Sequence, residues 1–151
     1  MDFKLPDDIE KLRINTRRFV DENIIPLETK SSSYDDHENI NEDLLEEIRN
    51  EVKKEGLWSP QMPVSRSGLG FGPVGMSALY EEMNRSIFGP VCFNCAAPDD
   101  GNMYILNKIG TEDQKKKWLD PIIRGEVRSS LAMTEPAPGG GSDPSMIRTE
   151  A

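Results

Sequence analysis

Histidine is almost missing from this sequence: among 151 residues only His37 carries an imidazole. It sits beside Asp35, Asp36 and Glu38, with no second nitrogen ligand in sequence reach, and a lone imidazole in an acidic loop is expected to be solvated. Cysteine is nearly as scarce, limited to Cys92 and Cys95 in VCFNCAA. A thioredoxin-like C-x-x-C pair needs a βαβ setting, and a zinc site needs two further ligands. Neither accompanies this pair, so both cysteines are expected to be small packing residues. No metal site is expected. Long apolar runs are also lacking, and nothing approaches the roughly 18 residues that a membrane span requires. The opening MDFKLPDDIEK has no apolar signal core and is too acidic for a transit peptide. The default compartment is therefore cytoplasmic, with a mitochondrial or peroxisomal address left open. Basic residues are in deficit, 18 Lys and Arg against 27 Asp and Glu, giving a formal net charge of −9. Nucleic acid needs clustered cations and is not expected as a partner. The single dense basic run, Lys115-Lys116-Lys117, is flanked by acids and fits a solvated helix face.

What is present is mostly helix. Leu5, Ile9, Leu12, Phe19, Val20, Ile24 and Leu27 recur at helical spacing, with Thr16 filling the gap and Pro26 expected to end or kink the helix. Residues 28–43 are polar and predict a loop. Leu44, Leu45, Ile48 and Val52 mark a second amphipathic helix, stopped by Gly56. WSPQMPVSRSGLGFGP is broken by prolines and glycines; its three glycines lack the strand before and the Lys-Ser/Thr after that a phosphate loop needs. A third helix is predicted over 73–88, with Met76, Leu79, Tyr80, Met83 and Ile87 at core spacing. A fourth starts near Pro98 and stops at Gly110, its Asp99 and Asp100 placed to complement the helix dipole. Thr111 and Gln114 form a capping box for a fifth. Trp118, Leu119, Ile122 and Ile123 are expected on its buried side, with Pro121 breaking it near its end. EVRSSLAMTEP is the only convincing strand.

That strand runs into Thr134-Glu135-Pro136 and then three glycines, Ser142 and Asp143. A single strand needs neighbours for its backbone donors and acceptors, so either another chain supplies a sheet or the protein continues, the more economical expectation. Three consecutive glycines allow close approach and positive φ, so successive amides can converge on an anion such as a pyrophosphate, with the hydroxyls of Ser142 and Thr134 adding donors. A flexible glycine linker would share the composition.

AMTEPAPGGGSDPSMIRT resembles the flavin-binding segment of the acyl-CoA dehydrogenase superfamily, whose usual form is T-E-P-G-A-G-S-D. FNCAAPDDGNMYILNKIGTEDQKKKWLDPIIRGE resembles the helix pair that precedes it there, closest to the branch with long-chain family members. Both blocks occur in order and at family-like separation. The resemblance implies a mainly α chain: an N-terminal helical domain at 1–126, and at 127–151 the first strand of a truncated middle β-domain with the flavin segment. It implies FAD as cofactor, a fatty acyl-CoA substrate dehydrogenated across its α,β bond in β-oxidation, an electron-transferring flavoprotein as acceptor, and a homo-oligomer when full length. The family's acyl-CoA oxidases and flavin monooxygenases are alternatives within it, and a non-catalytic helical interaction module lies outside it.

Carried onto this chain, the resemblance implies that Leu131, Met133 and Thr134 lie beside the flavin ring and that Gly141 and Ser142 meet the FAD pyrophosphate. Ser142 also touches the acyl-CoA, and Asn102 and Met103 line the acyl pocket. Leu131 stands where an aromatic is common, and APGGGSD is longer than the usual loop by two residues. In the family the catalytic glutamate comes from a C-terminal bundle, so no catalytic residue is expected here. Glu135 is expected to anchor the turn after the strand, and the fragment alone is expected to be inactive.

Overall fold

Opposite charges at its two ends shape the first helix of the computed structural model, which describes residues 4–137, 139–141 and 143–150. α1 (Asp7–Phe19) opens on Asp7, Asp8 and Glu10 and closes on Arg17 and Arg18, each set facing the complementary half of the helix dipole. It continues into a π turn (Val20–Ile24) and a 3-10 turn (Ile25–Leu27) that holds Pro26. Thr16, Phe19, Val20 and Ile24 are buried, so the anticipated stripe, Thr16 included, meets the core.

α2 (Glu42–Lys54) is capped by Asn41, whose side-chain oxygen accepts the amides of Asp43 (3.1 Å) and Leu44 (3.4 Å). Gly56, at φ 69°, ends it. α3 (Pro73–Met83) starts on a proline and stops five residues before the expected end. The chain folds back tightly there: a Cβ on Gly89 would lie 1.8 Å from the Met83 carbonyl oxygen. Ile87 is therefore 71% exposed instead of packed, and a one-turn α4 (Gly89–Cys92) follows. α5 (Asp99–Ile109) ends at Gly110. The Thr111–Gln114 capping box opens α6 (Glu112–Gln114), which passes through a second π turn (Lys115–Leu119) into α7 (Asp120–Arg124). Pro121 lies inside this continuous run, where it removes one backbone donor; the helix passes through it and stops three residues later at Arg124, so Pro121 stands near the end without breaking the helix at its own position. Trp118 stays 47% exposed, a departure from its anticipated burial.

Two apolar clusters form the core. The larger joins Phe19, Val20, Val52, Leu79, Met83 and Phe93 among others, with the Phe19 and Phe93 rings edge-on at 5.7 Å. The smaller joins Met62, Met103, Leu119, Ile122 and Ile123. α1 and α3 are pinned together by Glu82, 3% exposed, which accepts a short hydrogen bond from Arg13. Arg13 is a quarter exposed while Glu82 is buried, so removing Arg13 would strip the buried carboxylate of its main charged partner.

The chain is mainly α, as expected. The strand expected from residue 127 onward does not form. Among the described residues no sheet is present, and 127–136 run past α5 without a ladder partner. The physical reason is the one anticipated: a strand exists only through its neighbours. No helix among the described residues is long and apolar enough to cross a membrane.

Candidate functional site

The route from the helical body to the glycine loop begins at Asp99, in the first turn of α5 and 2% exposed. Its carboxylate accepts the Ser129 amide (2.6 Å), the Ser129 hydroxyl (2.7 Å) and Nε of Arg128 (2.9 Å). Burial alone would raise the pKa of this carboxyl, but the bonds from Ser129 and Arg128 outweigh it and hold it below the ordinary value. Asn102, three residues further along α5, donates to the same Ser129 hydroxyl at 2.9 Å. Asp99 and Asn102 share a helix face at i, i+3 and grip one residue together. Asp100 is also engaged, accepting a short hydrogen bond from the Tyr80 hydroxyl of α3. Burial, then that bond, raises the tyrosine pKa. The two aspartates thus do more than face the helix dipole.

Beyond Ser129 the chain is open. Leu131 is 66% exposed, Met133 is 47% exposed, and Thr134 is exposed beside them. Glu135 then folds the tail back on itself. Its carboxylate accepts the amides of Gly140 (3.2 Å), Arg148 (3.0 Å) and Thr149 (2.6 Å), together with the Thr149 hydroxyl. The threonine hydroxyl first, then the amides, lower the Glu135 pKa to about 2. Amides of the glycine-rich tail do converge on an anion, and the anion they meet is the chain's own carboxylate. Gly139 and Gly140 are required by packing: a Cβ would lie 2.4 Å from Glu135 Oε2 and 2.8 Å from the Asp143 carbonyl oxygen. Gly141 differs, with φ 52° and open space on its Cβ side. Ser142 lies outside the described residues.

Leu131, Met133, Thr134 and Gly141 are therefore all on the surface, while Asn102 lies where α5 meets the segment leading to them. Met103 is elsewhere: it is fully buried in the smaller core cluster, its sulfur 3.8 Å from Asn94 Nδ2. Beside Asn102 a groove of about 560 Å³ runs between α5 and α7, walled by Ile105, Leu106, Trp118, Pro121 and Val127. Ile105, Trp118 and Val127 are each about half exposed, so the groove is an apolar surface in contact with solvent. A larger basin of about 790 Å³ touches Lys53, Trp58, Arg66 and Arg124. Its arginines are already paired, Arg66 with Asp120 (2.8 Å) and Arg124 with Glu126 (2.6 Å).

The cysteines belong to the core. Burial pushes the Cys92 thiol up to about 12 and the Cys95 thiol well above its usual value, so neither is a thiolate near neutral pH. Between them Asn94 adopts φ 61°, and its side-chain amide donates to Ser59 Oγ (2.9 Å) and the Ile122 carbonyl (3.0 Å). No group of three or more His, Cys, Asp or Glu residues that could hold a metal occurs among the described residues. The sequence offered no direct signal for the Asp99–Ser129 clamp or the Asn94 hub, because both join residues about 30 positions apart.

The sequence model described as acyl-CoA dehydrogenase, N-terminal domain, matches residues 6–126. Acyl-CoA dehydrogenase family member 10 of Mus musculus is 36% identical over 135 residues, covering 85% of this chain and 13% of that protein. Family member 11 of Gallus gallus is 34% identical over 133 residues, covering 84% of this chain and 17% of that protein. Among solved structures, a Mycobacterium abscessus protein assigned as an acyl-CoA dehydrogenase is similar with a TM-score of 0.77 and 32% identity, over 89% of this chain and 36% of that one. The chain thus spans well under a fifth of either curated relative's length.

Proposed function

The chain belongs to the acyl-CoA dehydrogenase family, and on that premise we propose that it serves as the helical, flavin-facing part of an FAD-dependent dehydrogenase. The reaction is α,β-dehydrogenation of a fatty acyl-CoA, with electrons passing to an electron-transferring flavoprotein and the whole protein assembling as a homo-oligomer. The single observation that carries this is the exposed run of Leu131, Met133 and Thr134, fastened to α5 at Ser129 and without a ladder partner among the described residues. Such a run has the features that a flavin edge needs: apolar side chains at alternate positions, a hydroxyl, and accessible main chain.

The residues fit FAD well on the ring side. On the diphosphate side Gly141 is compatible, having positive φ and open space, whereas the Gly140 amide is engaged by Glu135. When bound, FAD would supply the acceptor for the substrate's β-hydride. Leu131 and Met133 would offer the ring an apolar bed, and the Thr134 hydroxyl would hydrogen-bond its polar edge. Asn102 would mark the end of the apolar groove nearest the flavin-facing run, and that groove would take the acyl chain. Glu135 is no general base: with a pKa near 2 its carboxylate is too weak to take an α-proton, and its hydrogen bonds make it the latch of the loop.

The test is a protein-observed NMR titration of the chain with FAD. Shifts concentrated at Leu131, Met133, Thr134 and Gly141, with weak affinity and no turnover of acyl-CoA, are expected. Absence of shifts at these four positions at saturating FAD would sink the flavin assignment.

A further inference from the structure

We propose that Asp99 is a positioning residue: through Ser129 it sets where the run Leu131–Thr134 leaves the helical body and therefore where it meets the cofactor. This rests on the flavin reading of that run. The argument is geometric. Ser129 is held by its amide and its hydroxyl to one carboxylate oxygen of Asp99, at 2.6 and 2.7 Å. Because that hydroxyl donates to Asp99, it is free to accept, and Asn102 Nδ2 fills the role at 2.9 Å. Both the backbone and the side-chain torsion of Ser129 are consequently fixed against one face of α5. Arg128, one residue earlier, is drawn to the other oxygen of Asp99 at 2.9 Å. Two successive residues thus share one anchor, which sets the direction of the chain as well as its position.

The lever from this anchor is short. At no more than about 3.6 Å per residue, Leu131 lies within roughly 7 Å of Ser129 along the chain and Thr134 within roughly 18 Å. No ladder constrains the run among the described residues, so an error at Ser129 passes directly to Leu131 and Met133. A displacement of about 1 Å is enough to degrade a site that depends on orientation. The anchor itself is rigid. Asp99 is 2% exposed and lies in the first turn of α5, where the helix dipole favours its ionised form. Charge-assisted bonds to an ionised carboxylate are about twice as strong as neutral ones. The same charge explains why aspartate stands here: an asparagine could turn its one oxygen to Ser129, but it would lose the charge that strengthens both of those bonds and set its NH2 group, donor against donor, at the Arg128 guanidinium.

The experiment compares the wild-type chain with Asp99→Asn, Ser129→Ala and the conservative Ser129→Thr, using amide hydrogen exchange and the FAD titration by NMR. Asp99→Asn and Ser129→Ala should each speed exchange at the Ser129 amide about tenfold and weaken FAD binding about tenfold, while exchange in α2 and α3 stays at wild-type rates. Ser129→Thr keeps the hydroxyl and should restore both. As a control, Glu82→Gln loosens the α1–α3 contact and should lower thermal stability without changing FAD affinity. Should Asp99→Asn fail to fold, Ser129→Ala carries the test, since it leaves the buried carboxylate its amide and guanidinium partners. Unchanged FAD affinity alongside faster exchange overturns the positioning role and leaves the flavin reading intact, and so does unchanged exchange. A wild-type chain that shows no FAD-dependent shifts shows instead that the flavin reading has failed, and the inference falls with it.

Discussion

Replacing Asn94 tests the energetics of the core most sharply. Its side chain is 3% exposed, and its amide nitrogen serves Ser59 Oγ at 2.9 Å and the Ile122 carbonyl at 3.0 Å. Ile122 O also accepts the Gly125 amide at 2.9 Å, so it keeps a partner when Asn94 is truncated. The loss is then two net hydrogen bonds, about 1 kcal/mol each. Alanine meets a second difficulty, because the backbone sits at φ 61°, a left-handed conformation that costs a residue with a Cβ about 1–2 kcal/mol. Asn94→Ala should therefore destabilise by about 3 kcal/mol, and Asn94→Gly, which escapes the conformational part, by about 2. For a chain of this size that corresponds to a fall in Tm of roughly 6–12 °C for alanine and a smaller one for glycine. Urea and thermal unfolding followed by far-ultraviolet circular dichroism measure both. The order is the diagnostic: glycine is ordinarily the less stable residue, and here it should be the more stable. Equal stability, or alanine above glycine, would refute the backbone argument, and a loss under about 1 kcal/mol in both would refute the hydrogen-bond hub.

The Glu135 latch carries a definite pH signature. Its folded pKa is depressed from the model-compound value of 4.5 to about 2, so its contribution is present above 4.5 and is lost as pH falls toward 2. The Arg148 and Thr149 amide resonances should hold steady from pH 8 to 5 and move only in that acid window; a transition near neutrality would contradict the latch. Cys92 and Cys95 should resist a thiol-labelling reagent in the native chain and react more than about a hundredfold faster in denaturant, as buried protonated thiols do, and rapid native labelling would show them exposed.

Local chemistry was legible in the sequence and long-range pairing was not. The Thr111–Gln114 capping box, the stop at Gly56 and the buried Thr16 each depend on residues a few positions apart, and each appears in the structure. The end of α3 at Met83 was missed because it depends on Gly89 closing against the Met83 carbonyl, a contact that periodicity at Ile87 does not encode. Asp99 and Asp100 look like dipole complements from sequence alone. Their partners, Ser129 and Tyr80, are 30 and 20 residues away. At the candidate site, the convergence of amides could be anticipated from the glycine content, whereas Leu131–Thr134 was expected within a strand and is instead an exposed run without a ladder partner among the described residues. That the converging amides hold Glu135 could not, because Arg148 and Thr149 return to it from 13 and 14 residues downstream.

The π turn at Lys115–Leu119 has a bearing on heredity. Such a turn stores one surplus residue inside an otherwise continuous helix, and each residue advances the helix by about 100°. Deleting Lys116 would let the turn close to ordinary α spacing and leave Leu119, Ile122 and Ile123 against their cluster, whereas deleting a residue from the regular helix after the turn would rotate the side chains beyond it by about 100°. Kin without the surplus residue must therefore be matched to this chain with a gap in mid-helix, and an alignment that moves the gap into a neighbouring loop will pair the wrong side chains across the whole of α7.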